Sequence, residues 1–377
     1  RETVQMMIKK ILVIKLKNIG DVVLTTPALR ALRKSFPHAH IAVLVRKGTE
    51  EVLAGLPYLD EIIELDIDGA HSIRHIGGNI RFLYDLRKKG FDLSIDLSGG
   101  GDRGAALSFF SGARLRVGYD PQGKGMLGKR FLYTHLIEPS NIREHVIDYN
   151  LRLIDYVLGT VLGTVPTLRR GCPSSKSRVP EIFVSDEDTN SIKRMLSING
   201  LNDCDGIVTI HPTSRWLFKC WRNEGMAEVA DYIAIRYNYK VVITSGPDTK
   251  ERDVIKRILS LMKTAPLDLS GQLSLKQLAA LIKMSMLFIG VDSAPMHIAF
   301  GVGTPIIALF GPTGWWAWGP FGEHDIVLHK ELPCQPCGKD GCNGSKRSRC
   351  LEEITTDEVI QAVDRQLQDV SLIKSHI

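Results

Sequence analysis

Short β-rich apolar runs alternate with longer amphipathic runs along this chain, and this alternation constrains its fold most strongly. The N-terminal half contains "ILVIKL" at 11–16, a helical pattern at about 21–36, "HIAVLV" at 40–45, a helical pattern near 48–55, and "DEIIEL" at 60–65. Such alternation is typical of βαβ units, in which parallel strands are connected by helices. The pattern therefore predicts an α/β protein built on parallel sheets.

The same alternation starts again after a polar segment, "RRGCPSSKSRVP" (169–180), which we interpret as a linker. Continuous apolar runs then follow, as expected of parallel strands covered on both faces: "GIVTI", "KVVIT", "MLFIG" and "PIIAL". A chain of 377 residues suits two domains. We therefore predict two doubly wound, Rossmann-like domains, 1–175 and 181–355, that face each other across a cleft. Residues 356–377 are predicted to form a C-terminal helix that can pack back on the first domain.

Composition excludes several classes of protein. Apolar residues make up 44% and charged residues 24%, which is typical of a soluble globular chain. No window reaches the roughly 18 uninterrupted apolar residues of a membrane-spanning helix, and the N-terminus lacks the apolar stretch of a signal peptide, so we expect a cytoplasmic protein. The formal charge of +6 suits an anionic partner such as a nucleotide, an acidic glycolipid or a membrane surface. The basic clusters are short and indicate solvated surface, so no nucleic-acid partner is expected.

An acidic residue follows the first predicted strand, in "KNIGDVVLTTPAL". Asp21 can simply cap the next helix, since Asp is a preferred N-cap residue, and on its own this interpretation is favoured. Ligands of open parallel sheets, however, bind at the carboxyl ends of the strands. Asp21 is therefore also a candidate functional residue.

A basic, hydroxyl-rich loop follows the first strand of the second half, in "TIHPTSRWLFKCW" (209–221). Thr213 and Ser214 supply hydroxyl donors, while Arg215 and Lys219 supply cations, a combination that suits a phosphate group. The loop lacks the G-x-x-x-x-G-K pattern of a P-loop, and the alternative is a basic surface turn.

A third candidate lies in "FIGVDSAPMHIAFGVG", where a buried strand ends and a helix is expected to begin at Asp292 and Ser293. Backbone N–H groups and the dipole of such a helix N-terminus can hold a diphosphate. His297 lies four residues beyond Ser293 and can share its face. A single His in an apolar run is, however, more often part of the core.

Two acids in "TSGPDTKERD" (244–253) follow the second strand of this half. An acid near this place in a Rossmann-like fold can bind ribose hydroxyls, so Asp248 and Glu251 are both candidates. Either residue can instead cap or support the following helix.

Four cysteines lie close together in "CQPCGKDGCNGSKRSRC": Cys334, Cys337, Cys342 and Cys350. Their spacing suits a structural zinc or iron–sulfur site, and a C-x-x-C redox pair is the alternative. The other three cysteines are scattered, so no disulfide framework is expected.

Together, these motifs resemble the ADP-heptose:lipopolysaccharide heptosyltransferase family, whose members have the two-domain GT-B fold. The similarity extends over nearly the whole chain, from "IGDVVLTTPAL" through "HPTSRWLFKCW" and "SGPD" to "GVDSAPMHIA" and "LFGPT". The pair "HPTSRWLFKCW" and "GVDSAPMHIA" is most similar to the heptosyltransferase III branch.

The resemblance implies a role for each motif. Asp21 matches the acid that acts as general base on the acceptor hydroxyl, and Lys219 matches the lysine that grips the phosphates. The family's D-[ST]-x-x-x-H set falls on Asp292, Ser293 and His297. The donor-binding residues predicted in this way are Thr213, Ser214, Arg215, Asp248, Glu251, Asp292, Ser293, Ala294 and His297.

The resemblance further implies an inverting glycosyltransferase that moves heptose from ADP-heptose to a heptose or Kdo acceptor of the lipopolysaccharide inner core. We find no D-x-D-like pair placed for a metal and expect no cofactor. The four cysteines have no known role in relatives, which argues against a functional metal. The location of the acceptor implies peripheral contact with the inner face of the inner membrane. The alternatives are a sugar-nucleotide-binding protein without transferase activity and an enzyme of the heptosyltransferase I or II type with another acceptor.

Overall fold

The structure is a computed structural model that describes residues 8–66, 73–140, 143–161, 163, 175–202 and 206–374. The chain divides into two compact units, Arg1–Glu181 and Ile182–Ile377. Residues 169–174 of the predicted linker lie outside the described residues. The boundary lies just after the last residue of the predicted linker. The Arg30 guanidinium donates hydrogen bonds to the carbonyl oxygens of Ser177 (3.1 Å) and Val179 (2.9 Å), and these bonds attach the end of the linker to the first unit.

The first unit consists of a parallel sheet and the helices that connect its strands. Its strands are β1 (Lys10–Lys15), β2 (His40–Arg46), β3 (Glu61–Leu65), β4 (Leu93–Asp96), β5 (Leu115–Tyr119) and β6 (His135–Ile137). Its helices are α1 (Ile19–Val23), α2 (Thr26–Ser35), α3 (Ile73–Lys88), α4 (Asp102–Phe110), α5 (Val146–Tyr156) and α6 (Ser175–Arg178).

The six strands of this sheet follow the order β3-β2-β1-β4-β5-β6. This is the Rossmann order, in which the chain reverses its direction of winding between β1 and β4. Ile11 to Ile14 of β1 are fully buried, because β1 is central and covered on both faces. Ile14 pairs with Asp96, so the ends of β1 and β4 meet at the switch point where such folds bind ligands.

Three predicted helices of the first unit have different bounds. The pattern at 21–36 forms two helices, since Pro27 starts a second helix after the short α1. The pattern near 48–55 forms only a 3₁₀ turn, Glu50–Leu53, because Gly48 and Gly55, both at positive φ, bound it. The pattern of residues 141–159 predicts a long helix that Asn141 caps and Gly159 ends. The observed helix begins at Val146, where His145 accepts a hydrogen bond from the N–H of Ile147. Asn141 itself lies outside the described residues.

The second unit repeats the same architecture. Its strands are β7 (Ile207–His211), β8 (Lys240–Ile243), β9 (Leu267–Asp268), β10 (Leu287–Val291), β11 (Ile306–Leu309) and β12 (Ile326–Leu328). Its helices are α7 (Asp186–Ile198), α8 (Asn223–Tyr237), α9 (Thr249–Leu261), α10 (Leu275–Met284), α11 (Ala294–Val302), α12 (Trp315–Trp318), α13 (Arg349–Glu352) and α14 (Thr356–Lys374).

The strand order of the second sheet, β12-β11-β10-β7-β8-β9, is again the Rossmann order, and its switch point lies between β7 and β10. The C-terminal helix α14 contacts α8, β11 and β12 within this unit. Its Val359, Val363 and Leu367 belong to the same buried cluster as the strands. In the described part of the chain, no helix is both long and apolar enough to cross a membrane.

Candidate functional site

Asp21 lies at the switch point of the first sheet, in the loop and short helix that follow β1. The N-cap of α1 is Asn18, and Asp21 occupies the first turn, so the interpretation of Asp21 as the N-cap is wrong. Its backbone carbonyl accepts a hydrogen bond from Thr25 (2.8 Å). The half-buried carboxylate forms no hydrogen bond or ion pair with any described residue. The Asp21 carboxylate is therefore available to a ligand.

A buried lysine and a buried acid lie at the ends of the two strands at this switch point. The Lys15 ammonium donates to the carbonyl oxygen of Leu97 (2.9 Å) and to Asn150 Oδ1 (3.4 Å). Burial lowers the pKa of Lys15 to about 8, although the charges of Asp21 and Asp96 act in the opposite direction. Lys15 was not predicted from the sequence, because a lysine at the end of a strand is ordinarily exposed, whereas Lys15 is as buried as its apolar neighbours in β1.

Asp96 is fully buried at the end of β4. Its carboxylate accepts hydrogen bonds from the Tyr133 hydroxyl (2.6 Å) and from the N–H of Ser98 (2.8 Å). Burial nevertheless raises the pKa of Asp96. A Cβ at Gly104 would lie 2.3 Å from Asp96 Oδ2, so glycine is required where α4 passes this carboxylate.

In the second unit, the loops after β7 and β10 are joined by an ion pair between Lys219 and Asp292. The Lys219 ammonium lies 2.7 Å from Asp292 Oδ2, and the Thr313 hydroxyl donates to the same oxygen. The structure thus brings together two residues that the sequence separates by 73 positions. Thr313 was not predicted, and its position just after β11, the neighbour of β10, is the signal that could have identified it.

Helix α11 begins just after Asp292, the acid of this ion pair. Ser293 is the N-cap, but its hydroxyl caps no backbone N–H group. This oxygen is buried and has no hydrogen-bond partner in the described chain. Because buried polar atoms normally have partners, the orphaned hydroxyl indicates a place for a ligand group. Ala294 is the first residue of the helix, and His297 is buried one turn further along.

The two acids after β8 differ in their surroundings. Glu251 is buried, and its Oε2 accepts hydrogen bonds from the Thr213 hydroxyl (2.7 Å) and from the N–H of Gly246 (3.3 Å). Asp248 is exposed and caps α9 by accepting from the N–H of Lys250 (2.8 Å). Glu251 is therefore oriented by the loop after β7, whereas Asp248 has a structural role at a helix end.

Ser214 and Arg215 occupy the middle of the loop after β7. The buried Ser214 accepts a hydrogen bond from the N–H of Trp216 (3.3 Å), which shapes the turn toward Lys219. Arg215 is exposed, with its guanidinium 5.4 Å from the centre of the Trp216 ring. Burial lowers the pKa of His211, at the end of β7, to about 3, so this imidazole is neutral.

The four clustered cysteines lie away from these loops in sequence and are free thiols. All four line one cavity of about 210 Å³, together with Pro312 and Arg349. Among the described residues, however, no group of three or more His, Cys, Asp or Glu side chains is arranged to hold a metal ion. The alternative of a metal site at Cys334, Cys337, Cys342 and Cys350 stays a prediction.

Two parallel six-stranded sheets of this order, each with polar loops at its switch point, are the architecture of the GT-B fold found in glycosyltransferases, as comparison with known structures shows. Over 96% of this chain, the structure superposes on a family 9 glycosyl transferase from Veillonella parvula with a TM-score of 0.78 and 28% identity, covering 97% of that chain. It also superposes on the Escherichia coli ADP-heptose lipopolysaccharide heptosyltransferase II with a TM-score of 0.75 and 20% identity, over 96% of this chain and 99% of that one.

Residues 80–347 match glycosyltransferase family 9 (heptosyltransferase), and the chain belongs to this family. It is 30% identical to lipopolysaccharide heptosyltransferase 3 of Escherichia coli over 92% of this chain and 96% of that protein. The predicted family and the predicted GT-B fold are thereby confirmed.

Proposed function

We propose that this enzyme transfers heptose from ADP-heptose to a heptose or Kdo acceptor of the lipopolysaccharide inner core, with inversion and without a metal ion. The observation that carries the proposal is the combination of Lys219, Asp292 and the unpartnered Ser293 hydroxyl at one switch point. A cation, a hydroxyl and a helix N-terminus together suit a diphosphate. The similarity to lipopolysaccharide heptosyltransferase 3 supports this acceptor class.

The donor half of the reaction belongs to the second unit. The Lys219 ammonium and the N–H groups at the start of α11 would stabilise the negative charge that develops on departing ADP. Glu251 would accept hydrogen bonds from the ribose hydroxyls, since its Oε1 atom has no partner in the described chain. A structural neighbour, Escherichia coli heptosyltransferase WaaC, has been solved with ADP-2-deoxy-2-fluoro heptose, which supports an ADP-linked donor.

The acceptor half depends on Asp21. Its carboxylate would remove the proton from the acceptor hydroxyl as the acceptor oxygen attacks the anomeric carbon of the donor. The bond from that carbon to the phosphate oxygen then breaks, and ADP leaves with the electron pair. Attack from the face opposite the leaving group inverts the anomeric centre. The absence of a hydrogen-bond or ion-pair partner for Asp21 among the described residues supports this role.

The proposal is tested by replacing Asp21 with Asn and measuring heptose addition to truncated core acceptors by mass spectrometry. We expect turnover to fall by about 10²-fold or more, while the affinity for ADP, measured by calorimetry, is unchanged. Asp85→Asn, which removes an exposed carboxylate of α3, is the matched control and should keep full activity. Wild-type turnover in Asp21→Asn would show that Asp21 is not the base. Failure of the wild-type protein to add heptose to any acceptor would overturn the proposed function itself.

A further inference from the structure

One loop of the first unit, residues 121–132, exposes apolar side chains to solvent, and we call it the apolar loop. Leu127 is 100% exposed, the most of any large apolar residue in the described part of the chain. Phe131 is 78% exposed and Met126 48%. Single exposed apolar residues are common, but three within six positions form a patch that requires an explanation.

The apolar loop is held in a defined shape. Gly125 and Gly128, at φ +83° and +78°, bracket Met126 and Leu127 and place them at the tip of a tight turn. A Cβ at Gly125 would lie 2.4 Å from Lys129 Nζ, so the turn closes directly on the Lys129 side chain. The structure therefore presents Leu127 on a fixed support.

That support is an ionic anchor at the start of α4. Lys129 is only 3% exposed, and its ammonium lies 2.9 Å from Asp102 Oδ1 and donates to the carbonyl oxygen of Gly100 (2.6 Å). Asp102 Oδ1 also accepts a hydrogen bond from the N–H of Met126 (3.0 Å). The negative charge of Asp102 is thus paired with the Lys129 ammonium, so it does not offset the exposed basic residues nearby.

The exposed apolar surface continues on α4. Arg116 donates to the carbonyl oxygen of Leu132 (2.7 Å), at the end of the apolar loop, and its guanidinium lies 5.6 Å from the centre of the Phe109 ring. Phe109 contacts Phe110 edge to face, and these rings are 43% and 44% exposed. Arg116 therefore connects the apolar loop to two further exposed aromatic rings, those of Phe109 and Phe110.

Exposed basic residues accompany this surface. Lys124 and Arg130 flank the tip of the apolar loop, and Arg103 and Arg114 lie on α4 and just after it. Among these four residues, only Arg130 has an acidic neighbour in the described part of the chain, with Asp120 at 3.8 Å. The surface therefore combines protruding apolar side chains with positive charge.

We propose that the apolar loop docks the first unit on an anionic lipid bilayer, with Leu127 and Phe131 inserted at the boundary between headgroups and acyl chains. Apolar residues enter this boundary while Lys and Arg pair with lipid phosphates. The tip that Met126 and Leu127 form between two glycines protrudes and is small, whereas each partner in a standard protein–protein interface buries about 800 Å². The docking proposal rests on the proposed function and deepens it, because a lipid-linked acceptor is presented at such a surface.

The test is sedimentation of the full chain with vesicles of phosphatidylethanolamine and phosphatidylglycerol, compared with vesicles of phosphatidylcholine alone. We expect Leu127→Asp and Phe131→Asp each to lower the partition coefficient about tenfold or more on the anionic vesicles. Lys124→Gln should lower it about fivefold on anionic vesicles and leave binding to phosphatidylcholine unchanged. Ile198→Asp, at an 86% exposed apolar position of α7, is the matched control and should bind as the wild type does.

Three results would overturn the docking proposal. They are a wild-type protein that does not bind anionic vesicles, a Leu127→Asp variant that binds as tightly as the wild type, and an equal loss in Ile198→Asp. Self-association that Leu127→Asp abolishes, without vesicle binding, would show instead that a second copy covers this surface. Vesicle binding requires no donor or acceptor, so it is independent of the turnover assay. Loss of docking with normal transfer to a lipid-free acceptor would leave the proposed function intact.

Discussion

The Lys219 ammonium and the Asp292 carboxylate form a 2.7 Å ion pair that joins the loop after β7 to the loop after β10. The carboxylate side chain is 7% exposed and the ammonium side chain 18%, so the pair is largely shielded from water. Asp292 uses one oxygen for both Lys219 and Thr313, and two of the three N–H donors of Lys219 make no bond to the described residues. Asp292 therefore orients Lys219 and leaves donors free for a phosphate.

Replacing Lys219 with Met should lower kcat about 10²- to 10³-fold, the usual cost of removing one group that stabilises a leaving charge. Asp292→Asn should cost less, about tenfold, because the ammonium remains but loses its orientation. If the two residues act as a unit, the double variant should lose no more than Lys219→Met alone, as measured by steady-state kinetics. Lys256→Met, at an exposed position of α9, is the control. A Lys219→Met enzyme with the wild-type kcat would contradict the role of Lys219.

Glu251 and Asp248 are distinguished by their surroundings, and their variants should differ accordingly. Glu251→Gln keeps an acceptor for Thr213 and Gly246 but removes the charge, so we expect KM for the donor to rise about tenfold. Asp248→Asn keeps a good helix cap and should leave KM nearly unchanged. Initial rates at varied donor concentration decide between them. The opposite ranking would assign the ribose to Asp248.

Replacing Ser293 should affect the stability of the protein and its affinity for ADP differently. Its buried hydroxyl has no partner among the described residues, so Ser293→Ala should leave the free energy of unfolding unchanged or raise it by about 1 kcal/mol. The affinity for ADP should nevertheless fall, by about fivefold, if the hydroxyl binds the diphosphate. Chemical denaturation without ligand and calorimetry with ADP measure the two effects. A destabilised variant with normal ADP affinity would show that the hydroxyl is structural.

The strand positions could be predicted from the sequence because central parallel strands are buried on both faces and form continuous apolar runs. The runs at 206–210 and 286–290 lie within one residue of β7 and β10. Helix bounds were harder to predict, since they depend on local caps and turns. At α5, for example, the ring of His145 supplies the cap that an asparagine was expected to provide.

Chemistry-bearing residues could be identified at the strand ends, but their partners could not. The sequence places Lys219 and Asp292 in different loops, and only the pairing of β7 with β10 brings them together. The choice between Asp248 and Glu251 likewise depends on burial, which is set by tertiary packing around Thr213. Lys15 was missed for a similar reason, because a lysine at the end of a strand is ordinarily exposed.

The buried Lys15 should impose a distinct pH dependence on stability. Its pKa is about 8 in the folded chain, compared with the ordinary value of 10.5. Below pH 8 both folded and unfolded chains carry the proton, and the cost of burying the charge is fully present. Between about 8 and 10.5 the folded chain binds fewer protons, so the free energy of unfolding rises with pH. The rise should reach about 3 kcal/mol across this window.

The measurement is urea denaturation of the wild type and of Lys15→Met at several pH values across this window. Other groups titrate in both proteins, so the quantity that isolates Lys15 is the difference between the two free energies of unfolding. This difference should shift in favour of the wild type as pH rises from about 8 to 10.5 and stay constant below pH 8. Met fills a similar volume, which limits the packing change. A difference that moves in the opposite direction would mean that the folded chain raises the pKa of Lys15, and the ammonium would then be stabilised by Asp21 and Asp96 more than burial disfavours it.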